Sequence, residues 1–388
     1  MSGMNETPKG NRTHIAVFGL RNAGKSTLVN AITAQNLAIV NAKPGTTTDP
    51  VSKAMEILPL GACLITDTAG LDDDEGELGA QRVRKTLEVL CMSDVAVWVE
   101  GSGEQTEKAR AIKASFLAEC AARKVAVVEY RRGEKVEELK TKLANLVLDE
   151  QPRPLIADLL SPGDFVVCVC PIDSAAPKGR LILPQQQVVR EVLDAGATAI
   201  VCRETELAAT LRKLGASQPG VRPPVRFVVT DSQAFGLVSR VVPADIPLTS
   251  FSIVFARAKG DLGVFCEGVK ALARLRDGDR VLISEGCTHR RQCGDIGTDK
   301  LPRWIESYAQ AKLKFEWSSG GTFPSDLTPY AAVVHCGGCM LTRRAVQERI
   351  RRALDAGVPI VNYGIAIAAC HGIVVSPDTC MVERKAQS

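Results

Sequence analysis

The sequence predicts an α/β protein of three domains, residues 1–150, 151–246 and 247–388. Short apolar runs alternate along the chain with stretches in which apolar residues recur at helical spacing, a pattern typical of strands and helices arranged around parallel sheets. Two proline-bearing segments, Gln151–Pro154 and Val242–Pro247, interrupt this alternation, and proline favours linkers because it ends helices. The length agrees, since 388 residues at about 150 per domain make two to three domains.

The first domain starts with an apolar run at His14–Phe18, a glycine-containing loop and a helical pattern over Ser26–Ala34. A strand, a loop and a helix in this order open a βαβ unit. The further strands predicted in this domain are Ala62–Thr66, Val95–Val99 and Val125–Val128, and the further helices are Gly79–Leu90, Glu104–Ala122 and Lys135–Leu148.

The second and third domains show the same alternation. The strands predicted in the second domain are Phe165–Cys170, Thr198–Cys202 and Val225–Thr230, with helices at Gln185–Ala195 and Glu204–Leu214. The strands predicted in the third domain are Arg280–Ile283, Ala331–His335 and Pro359–Tyr363, with a helix at Val264–Leu275. We therefore expect two further α/β units after the first domain.

The composition argues against several classes of protein. The chain has 45% hydrophobic and 24% charged residues and no uninterrupted run of about 18 apolar residues. This composition predicts no membrane partner. A net charge of +4 and 4% aromatic residues give no basis for nucleic-acid binding, so no nucleic-acid partner is predicted. Residues 1–12 lack the apolar stretch of a secretion signal, which predicts a cytoplasmic protein. In that reducing compartment the 13 cysteines are expected as thiols or metal ligands.

Residues Gly19–Ser26 match the phosphate-binding loop G-x-x-x-x-G-K-[ST], directly after a predicted strand and before a predicted helix. In such a loop backbone N–H groups surround the phosphates, the charge of Lys25 binds the β- and γ-phosphates, and the Ser26 hydroxyl binds Mg²⁺. The nucleotide-binding residues predicted in this loop and just after it are Gly19, Asn22, Ala23, Gly24, Lys25, Ser26 and Thr27.

Two further segments complete the predicted nucleotide site. The segment Asp67-Thr-Ala-Gly70 ends a strand, where Asp67 would bind the Mg²⁺ ion and the N–H of Gly70 would bind the γ-phosphate. The segment Pro44–Asp49 supplies Thr46 and Thr47, which would close on the γ-phosphate, with Thr47 as a further Mg²⁺ ligand. The expected catalytic residues are Lys25, Thr47 and Gly70.

These motifs resemble those of the translation-factor-like GTPases, and Asn22 resembles the asparagine of their cation-activated group. In that group the asparagine helps to hold a K⁺ ion that stands in for an arginine finger. Residues 46–56 and 67–79 resemble more particularly the FeFe-hydrogenase maturation GTPases, the HydF family. The resemblance implies GTP as the nucleotide, with Mg²⁺ and K⁺ as its ions.

The guanine-reading motif of such GTPases is missing. They follow their fifth strand with Asn-Lys-x-Asp, whose carboxylate binds the guanine base, whereas this chain continues with Glu129–Lys135 and then the predicted helix. We therefore expect a strand and a helix to be missing from the domain. Guanine specificity is implied by the resemblance alone, and a binding scaffold whose hydrolase has decayed is an alternative to an active GTPase.

A second group of functional residue types lies in the third domain. The segments Cys287-Thr-His289 and His335-Cys-Gly-Gly-Cys339 each follow an apolar strand, so the two loops can meet at one edge of a parallel sheet. Three cysteines with a histidine suit a tetrahedral zinc ion, and three thiolates also suit three irons of a four-iron cluster. The spacing alone leaves both metals open.

The HydF resemblance favours the iron–sulfur cluster, because that family's cluster signature is matched by Cys287, His289, His335, Cys336 and Cys339. It implies a [4Fe–4S] cluster bound by the three cysteines, with an exchangeable fourth ligand for which His289 and His335 are candidates. It also implies that the three domains are a P-loop GTPase-like domain, a dimerisation domain and an iron–sulfur cluster-binding domain.

The function implied by the resemblance is maturation of FeFe-hydrogenase. A protein of this kind is a scaffold that receives the two-iron subcluster precursor from radical-SAM maturases and transfers it to the apo-enzyme. It is expected to be a homodimer that uses GTP hydrolysis as a switch. The alternative is a GTPase of tRNA modification or ribosome assembly with a structural zinc site.

Overall fold

The computed structural model describes residues 7–33, 50–73, 76–101, 106–148, 153–172, 181–215, 225–287, 296–320 and 322–383. These residues fall into two units, Met1–Pro152 and Arg153–Ser388. Both units are built on sheets whose strands are mostly parallel, as the alternation of strands and helices predicts. No helix in these ranges combines the length and the apolar character that crossing a bilayer requires.

The N-terminal unit is one mixed sheet with helices on both faces. Its strands are β1 (Thr13–Phe18), β2 (Val51–Ile57), β3 (Gly61–Asp67), β4 (Val95–Glu100) and β5 (Ala126–Arg131). Its helices are α1 (Lys25–Thr33), α2 (Gly76–Met92), α3 (Glu107–Ala122) and α4 (Val136–Leu148). The strand order is β2-β3-β1-β4-β5, in which β2 runs antiparallel to β3 and the other pairs are parallel.

The central strand β1 explains why both faces are covered. Its residues Ile15 and Val17 contribute to one buried apolar cluster, and Ala16 and Phe18 contribute to a second cluster on the other face. Successive side chains of a strand point to opposite faces, so a strand that is apolar at every position needs helices on both sides.

The missing guanine-reading segment has a structural counterpart. The chain passes from β5 directly into α4, and the sheet has five strands within the described residues. The prediction placed no element at β2, because its outer face is exposed and its residues alternate between exposed and partly buried rather than forming an apolar run.

The C-terminal unit contains two four-stranded parallel sheets and a small antiparallel pair. Its strands are β6 (Phe165–Val169), β7 (Thr198–Cys202), β8 (Val225–Thr230), β9 (Leu248–Ser250), β10 (Arg280–Ser284), β11 (Lys314–Ser318), β12 (Ala332–His335), β13 (Ile360–Asn362), β14 (Val374–Val375) and β15 (Val382–Glu383). Its helices are α5 (Leu183–Asp194), α6 (Leu207–Lys213), α7 (Phe235–Val241), α8 (Phe251–Lys259), α9 (Leu262–Leu272), α10 (Leu301–Ala309), α11 (Arg343–Asp355) and α12 (Tyr363–Cys370). The strand orders are β7-β6-β8-β9 and β11-β10-β12-β13, and β14 pairs with β15.

The two parallel sheets lie in one unit. Strand β9 extends the first sheet, with Leu248 paired to Val228 of β8, and the chain then passes through α8 and α9 to the second sheet. The boundary predicted between residues 246 and 247 stays a prediction.

The second parallel sheet brings the two cysteine-bearing loops together. Strands β10 and β12 are neighbours, and Ser284 at the end of β10 is paired with His335 at the end of β12. Parallel strands end at the same edge, so the residues after Ser284 and after His335 leave the sheet side by side. The position of the two loops after apolar strands predicts this arrangement at one edge of the sheet.

Candidate functional site

The phosphate-binding loop lies between β1 and α1, the context that its motif requires. Its lysine, Lys25, is buried at the start of α1, and Nζ donates hydrogen bonds to the carbonyl oxygens of Leu20 at 2.7 Å and Gly19 at 3.4 Å. Burial lowers the pKa of Lys25, while Asp67 and Asp72 act in the opposite direction. The loop therefore holds a cation beside the backbone N–H groups that such loops offer to phosphates.

Ser26 and Asp67 form the predicted magnesium-binding pair. Ser26 Oγ donates a 2.5 Å hydrogen bond to Asp67 Oδ2, while Asp67 Oδ1 is buried and accepts no hydrogen bond within the described residues. Burial raises the pKa of Asp67, and the Ser26 hydrogen bond and the charge of Lys25 lower it. A buried carboxylate oxygen without a partner next to a hydroxyl fits Mg²⁺, a hard cation that takes oxygen ligands.

The loop that follows Asp67 is packed against the phosphate-binding loop. The N–H of Leu71 donates to Gly19 O at 3.3 Å, and a Cβ at Gly70 would lie 2.8 Å from the backbone nitrogen of Arg21, so only glycine fits there. Asp73 joins the two loops through its carboxylate, which contacts Arg21 Nη2 at 2.5 Å and Arg82 Nη1 at 3.1 Å.

The remaining predicted nucleotide-binding residues divide into described and undescribed positions. Asn22 has φ +57°, in the left-handed region that asparagine tolerates better than most residues. Ala23 and Gly24 lie in the same loop, and Thr27 lies in the first turn of α1. Thr46 and Thr47 lie outside the described residues.

The cysteine-bearing loops meet at the sulfur of Cys336. Sγ accepts hydrogen bonds from the N–H of Gly286 at 3.0 Å and from the N–H of Gly338 at 3.4 Å. Gly286 immediately precedes Cys287, whose carbonyl accepts a 3.2 Å hydrogen bond from Gly320 N–H. Burial raises the pKa of Cys336, and the two N–H donors lower it.

The cysteine sulfurs of these loops and the N–H groups around them are chemically suited to a thiolate-bound metal group. Backbone N–H groups aimed at a cysteine sulfur are the hydrogen bonds that tune iron–sulfur clusters. Burial raises the pKa of Cys339 to about 11, and the positive charge of Lys259 lowers it. Within the described residues no three His, Cys, Asp or Glu side chains are already grouped for a metal ion, and His289 lies outside them.

His335 is buried behind the loop and both its ring nitrogens have partners. Nδ1 lies 2.6 Å from Cys336 O, and Nε2 lies 3.2 Å from Nη1 of Arg349. A guanidinium group only donates, so Nε2 accepts and Nδ1–H is the donor to the carbonyl oxygen. Burial and Arg349 lower the pKa of His335 to about 3, which keeps the ring neutral. To serve as a ligand, as predicted, His335 would have to give up one of these two bonds.

Two cations border the loop of Cys336 and Cys339. Arg349 is buried and donates to Gly320 O at 2.6 Å and to Ser284 Oγ at 3.2 Å. Lys259, which ends α8, is partly buried and donates to three carbonyl oxygens of the loop. Each cation lowers the pKa of one cysteine, Arg349 that of Cys336 and Lys259 that of Cys339.

Neither cation was predicted from the sequence as a site residue. Their signal is visible in retrospect, since Lys259 ends a helix in which most residues are apolar and buried. Arg349 lies in the arginine-rich helix α11, whose other arginines are partly or fully exposed, so composition alone does not separate it from them.

Three family models match the chain. Residues 14–157 match the family described as 50S ribosome-binding GTPase, residues 155–260 match the hydrogen maturase F dimerization domain, and residues 263–377 match the hydrogen maturase F tetramerization domain. The N-terminal unit is accordingly a P-loop GTPase domain, and two oligomerisation domains follow it.

The tRNA modification GTPases MnmE are curated relatives that resemble the GTPase domain of this chain. The tRNA modification GTPase MnmE of Phenylobacterium zucineum (strain HLK1) is 44% identical over 93 residues, which are 24% of this chain and 21% of that protein. MnmE of Bacteroides thetaiotaomicron is 24% identical over 143 residues, 37% of this chain and 30% of that protein. The chain thus spans about a fifth to a third of the length of these relatives.

Among solved structures, Era of Aquifex aeolicus matches 79% of this chain and 93% of its own at 15% identity and a TM-score of 0.27. A bacterial selenocysteine-specific elongation factor matches 37% of this chain and 30% of its own at 13% identity and a TM-score of 0.25. At these TM-scores the two structures add nothing to the assignment of the fold.

Proposed function

Because the chain belongs to the hydrogen maturase F family, we propose that it is a GTP-dependent scaffold that carries the two-iron subcluster precursor to apo-FeFe-hydrogenase. The observation that carries the proposal is the meeting of the two cysteine-bearing loops, in which Gly286 N–H donates to Cys336 Sγ within the domain that matches this family. In this proposal radical-SAM maturases supply the precursor, and the scaffold is a cytoplasmic homodimer.

In the nucleotide site, the chain's own groups bind and orient GTP. Lys25 supplies the positive charge for the β- and γ-phosphates, and the loop N–H groups supply the hydrogen bonds. Ser26 and Asp67 hold Mg²⁺, with Thr47 as a further ligand, and the N–H of Gly70 binds the γ-phosphate. Hydrolysis then removes the γ-phosphate from the N–H of Gly70 and so changes the affinity for partners.

In the cluster site, Cys287, Cys336 and Cys339 bind a [4Fe–4S] cluster as thiolates. The N–H groups of Gly286 and Gly338 stabilise the Cys336 thiolate in preference to the thiol. When bound, the cluster supplies one iron with an exchangeable ligand, and His289 and His335 are the candidate protein ligands of that iron. The three cysteines would thus hold the cluster, and the iron that they do not bind would be able to exchange its ligand.

The cluster proposal is tested by anaerobic reconstitution of the full chain. We expect about four irons and four sulfides per chain. Replacing Cys336 with serine should lower the iron content at least twofold, whereas Cys202→Ser, in the other parallel sheet, should leave it unchanged. Stoichiometric zinc that survives anaerobic purification would instead support the structural zinc site.

The transfer step needs its own measurement. Full-length protein loaded with a synthetic two-iron compound should activate apo-hydrogenase, and the unloaded protein should not. The wild-type protein should hydrolyse GTP, and Lys25→Ala should abolish that hydrolysis. This result would rule out a scaffold whose hydrolase has decayed. Because the curated MnmE relatives match only the GTPase domain, the alternative role in tRNA modification has support in that domain alone.

A further inference from the structure

Lys259 contacts the loop of Cys336 and Cys339 at three points. Its Nζ donates to the carbonyl oxygens of Gly338 at 3.2 Å, Cys339 at 3.2 Å and Leu341 at 2.6 Å. An ammonium group has three N–H donors, so one turn of the chain takes all of them. The turn that carries Cys339 is therefore held by hydrogen bonds to the side chain of Lys259.

The charge of Lys259 has no carboxylate partner in the described residues. Among the described residues its neighbours are three neutral carbonyls, the ring of Phe255 at 5.3 Å and the cysteines of the loop, whose thiolate forms would stabilise the ammonium. A partly buried cation without an acidic partner costs free energy unless a negative charge is placed near it. Cysteines of the loop supply that charge when they bind a metal group as thiolates, since burial otherwise raises the pKa of Cys339 to about 11.

Helix α8 contacts the loop at both of its ends. At its start, Ser252 lies against the loop closely enough that a Cβ on Gly337 would be 3.2 Å from Ser252 Oγ. At its end, Lys259 binds the carbonyls. The loop is therefore fixed against a rigid element that belongs to the match of the dimerization domain, whereas the cysteines belong to the match of the tetramerization domain.

We propose that Lys259 is a positioning residue of the cluster site that also raises the reduction potential of the bound cluster. The inference rests on the proposed function, because it requires a cluster at Cys336 and Cys339. The three hydrogen bonds hold the turn, and the positive charge of the protonated side chain favours the reduced cluster, which carries one more negative charge. Net charge and hydrogen bonding are among the factors that set cluster potentials.

Two neutral substitutions separate the two roles. Lys259→Gln keeps a donor group but removes the charge, so its iron content should stay within about a fifth of wild type while its potential becomes more negative. Lys259→Met removes the charge and all three hydrogen bonds, so it should show the same direction of shift and also bind less iron. Lys259→Arg should keep the potential close to that of wild type because it keeps the charge.

The matched control is Lys270→Met, since Lys270 lies on the neighbouring helix α9, is exposed and pairs with Glu267. Each full-length variant is reconstituted anaerobically and its iron is counted. Its potential is measured by redox titration followed by electron paramagnetic resonance, at one pH about two units below the pKa of Lys259, which burial lowers to about 8. Thermal unfolding of each protein before reconstitution shows whether it folds, and if Lys259→Met does not, Lys259→Gln carries the test.

The outcomes are distinguishable. If the wild-type protein binds no iron, the proposed function fails and this inference fails with it. If wild type and Lys259→Gln both bind about four irons at the same potential, the inference fails while the proposed function stands. A more negative potential in Lys259→Gln, with Lys259→Arg and Lys270→Met at the wild-type value, supports it.

Discussion

The backbone N–H of Arg21, in the phosphate-binding loop, donates a 2.6 Å hydrogen bond to Oδ1 of Asp72. Backbone N–H groups of this loop are the donors that hold nucleotide phosphates. Asp72 therefore places a carboxylate where a phosphate oxygen of the same charge would bind. Asp73, held by Arg21 and Arg82, fixes the segment in this position.

We predict that Asp72→Asn tightens nucleotide binding. The amide keeps the size of the side chain but removes the charge, so it competes less well for the Arg21 N–H and no longer repels the phosphates. The difference between a charge-assisted and a neutral hydrogen bond is about 1 kcal/mol, which corresponds to a dissociation constant lower by about fivefold. Titration with a fluorescent GTP analogue measures it.

The control for Asp72→Asn is Glu137→Gln, which removes an equal charge from the exposed face of α4. Its dissociation constant should equal that of wild type. An unchanged or higher constant for Asp72→Asn would show that the carboxylate does not compete with the nucleotide.

Asn22 carries the prediction of potassium dependence. Hydrolysis of GTP should be faster in K⁺ than in Na⁺ by about tenfold or more, as expected for loss of one group that stabilises transition-state charge. Asn22→Gly keeps the left-handed backbone, φ +57° in the structure, while it removes the side-chain amide. The variant should bind nucleotide normally and hydrolyse it at the same low rate in both salts, whereas equal rates for wild type in the two salts would reject the role of Asn22.

The sequence predicts the parallel strands and the loops that follow them well, because both depend on local signals. The runs Thr198–Cys202 and Val225–Thr230 are strands with the predicted ends, and the phosphate-binding loop lies between a strand and a helix as its motif requires. An apolar run bounded by turn residues is sufficient to indicate a buried strand.

The partners of the site residues are not predicted from the sequence, because they come from distant parts of the chain. Arg349 lies near His335 only because α11 packs against the second sheet, and Lys259 reaches the cysteine loop only because α8 does. An arginine or lysine is usually exposed, so its type gives no sign of burial. The sequence does not predict strand β11, for a related reason. This strand lies at the edge of the sheet, and its charged and aromatic residues are mostly partly buried or exposed, so they form no apolar run.

Gly268 tests the packing of α9 on the second sheet. A Cβ at this position would lie 2.1 Å from the carbonyl oxygen of Ile360 in β13, and a backbone atom cannot move aside as a flexible side chain can. Gly268→Ala should therefore destabilise the protein by about 3 kcal/mol, the upper end for overpacking. Urea unfolding followed by tryptophan fluorescence measures it, because Trp304 and Trp317 lie in this unit.

Gly236→Ala in α7 is expected to stabilise the protein rather than to destabilise it. The added methyl group would meet only the His371 ring at 3.4 Å, an ordinary contact, and alanine favours a helix over glycine by about 1 kcal/mol. If both substitutions change the unfolding midpoint equally, the close approach of α9 to β13 does not limit the residue at position 268.

The pair of Asp158 and Arg257 carries a prediction of pH dependence. Arg257 is 4% exposed, and its Nη1 donates to Asp158 Oδ1 at 2.9 Å. The hydrogen bond from Arg257 lowers the pKa of Asp158 below its ordinary value. The unfolded chain then binds the proton more tightly than the folded chain, so the stabilisation is present above pH about 4 and is lost as the pH falls through the lowered pKa.

Asp158→Asn should therefore cost about 1–2 kcal/mol of unfolding free energy at pH 7, less than a fully buried pair because the carboxylate is partly exposed. The difference in unfolding free energy between wild type and Asp158→Asn should stay constant between about pH 5 and pH 8, because this range lies roughly one unit or more above the pKa of the unfolded carboxyl. The difference should shrink below pH about 4. Asp194→Asn is the control, since the pair of Asp194 and Arg190 is exposed on both sides and its loss should barely change the unfolding free energy. A difference for Asp158→Asn that is independent of pH down to about 3 would mean that Arg257 is stabilised by the carbonyls of Pro154 and Leu155 rather than by the carboxylate.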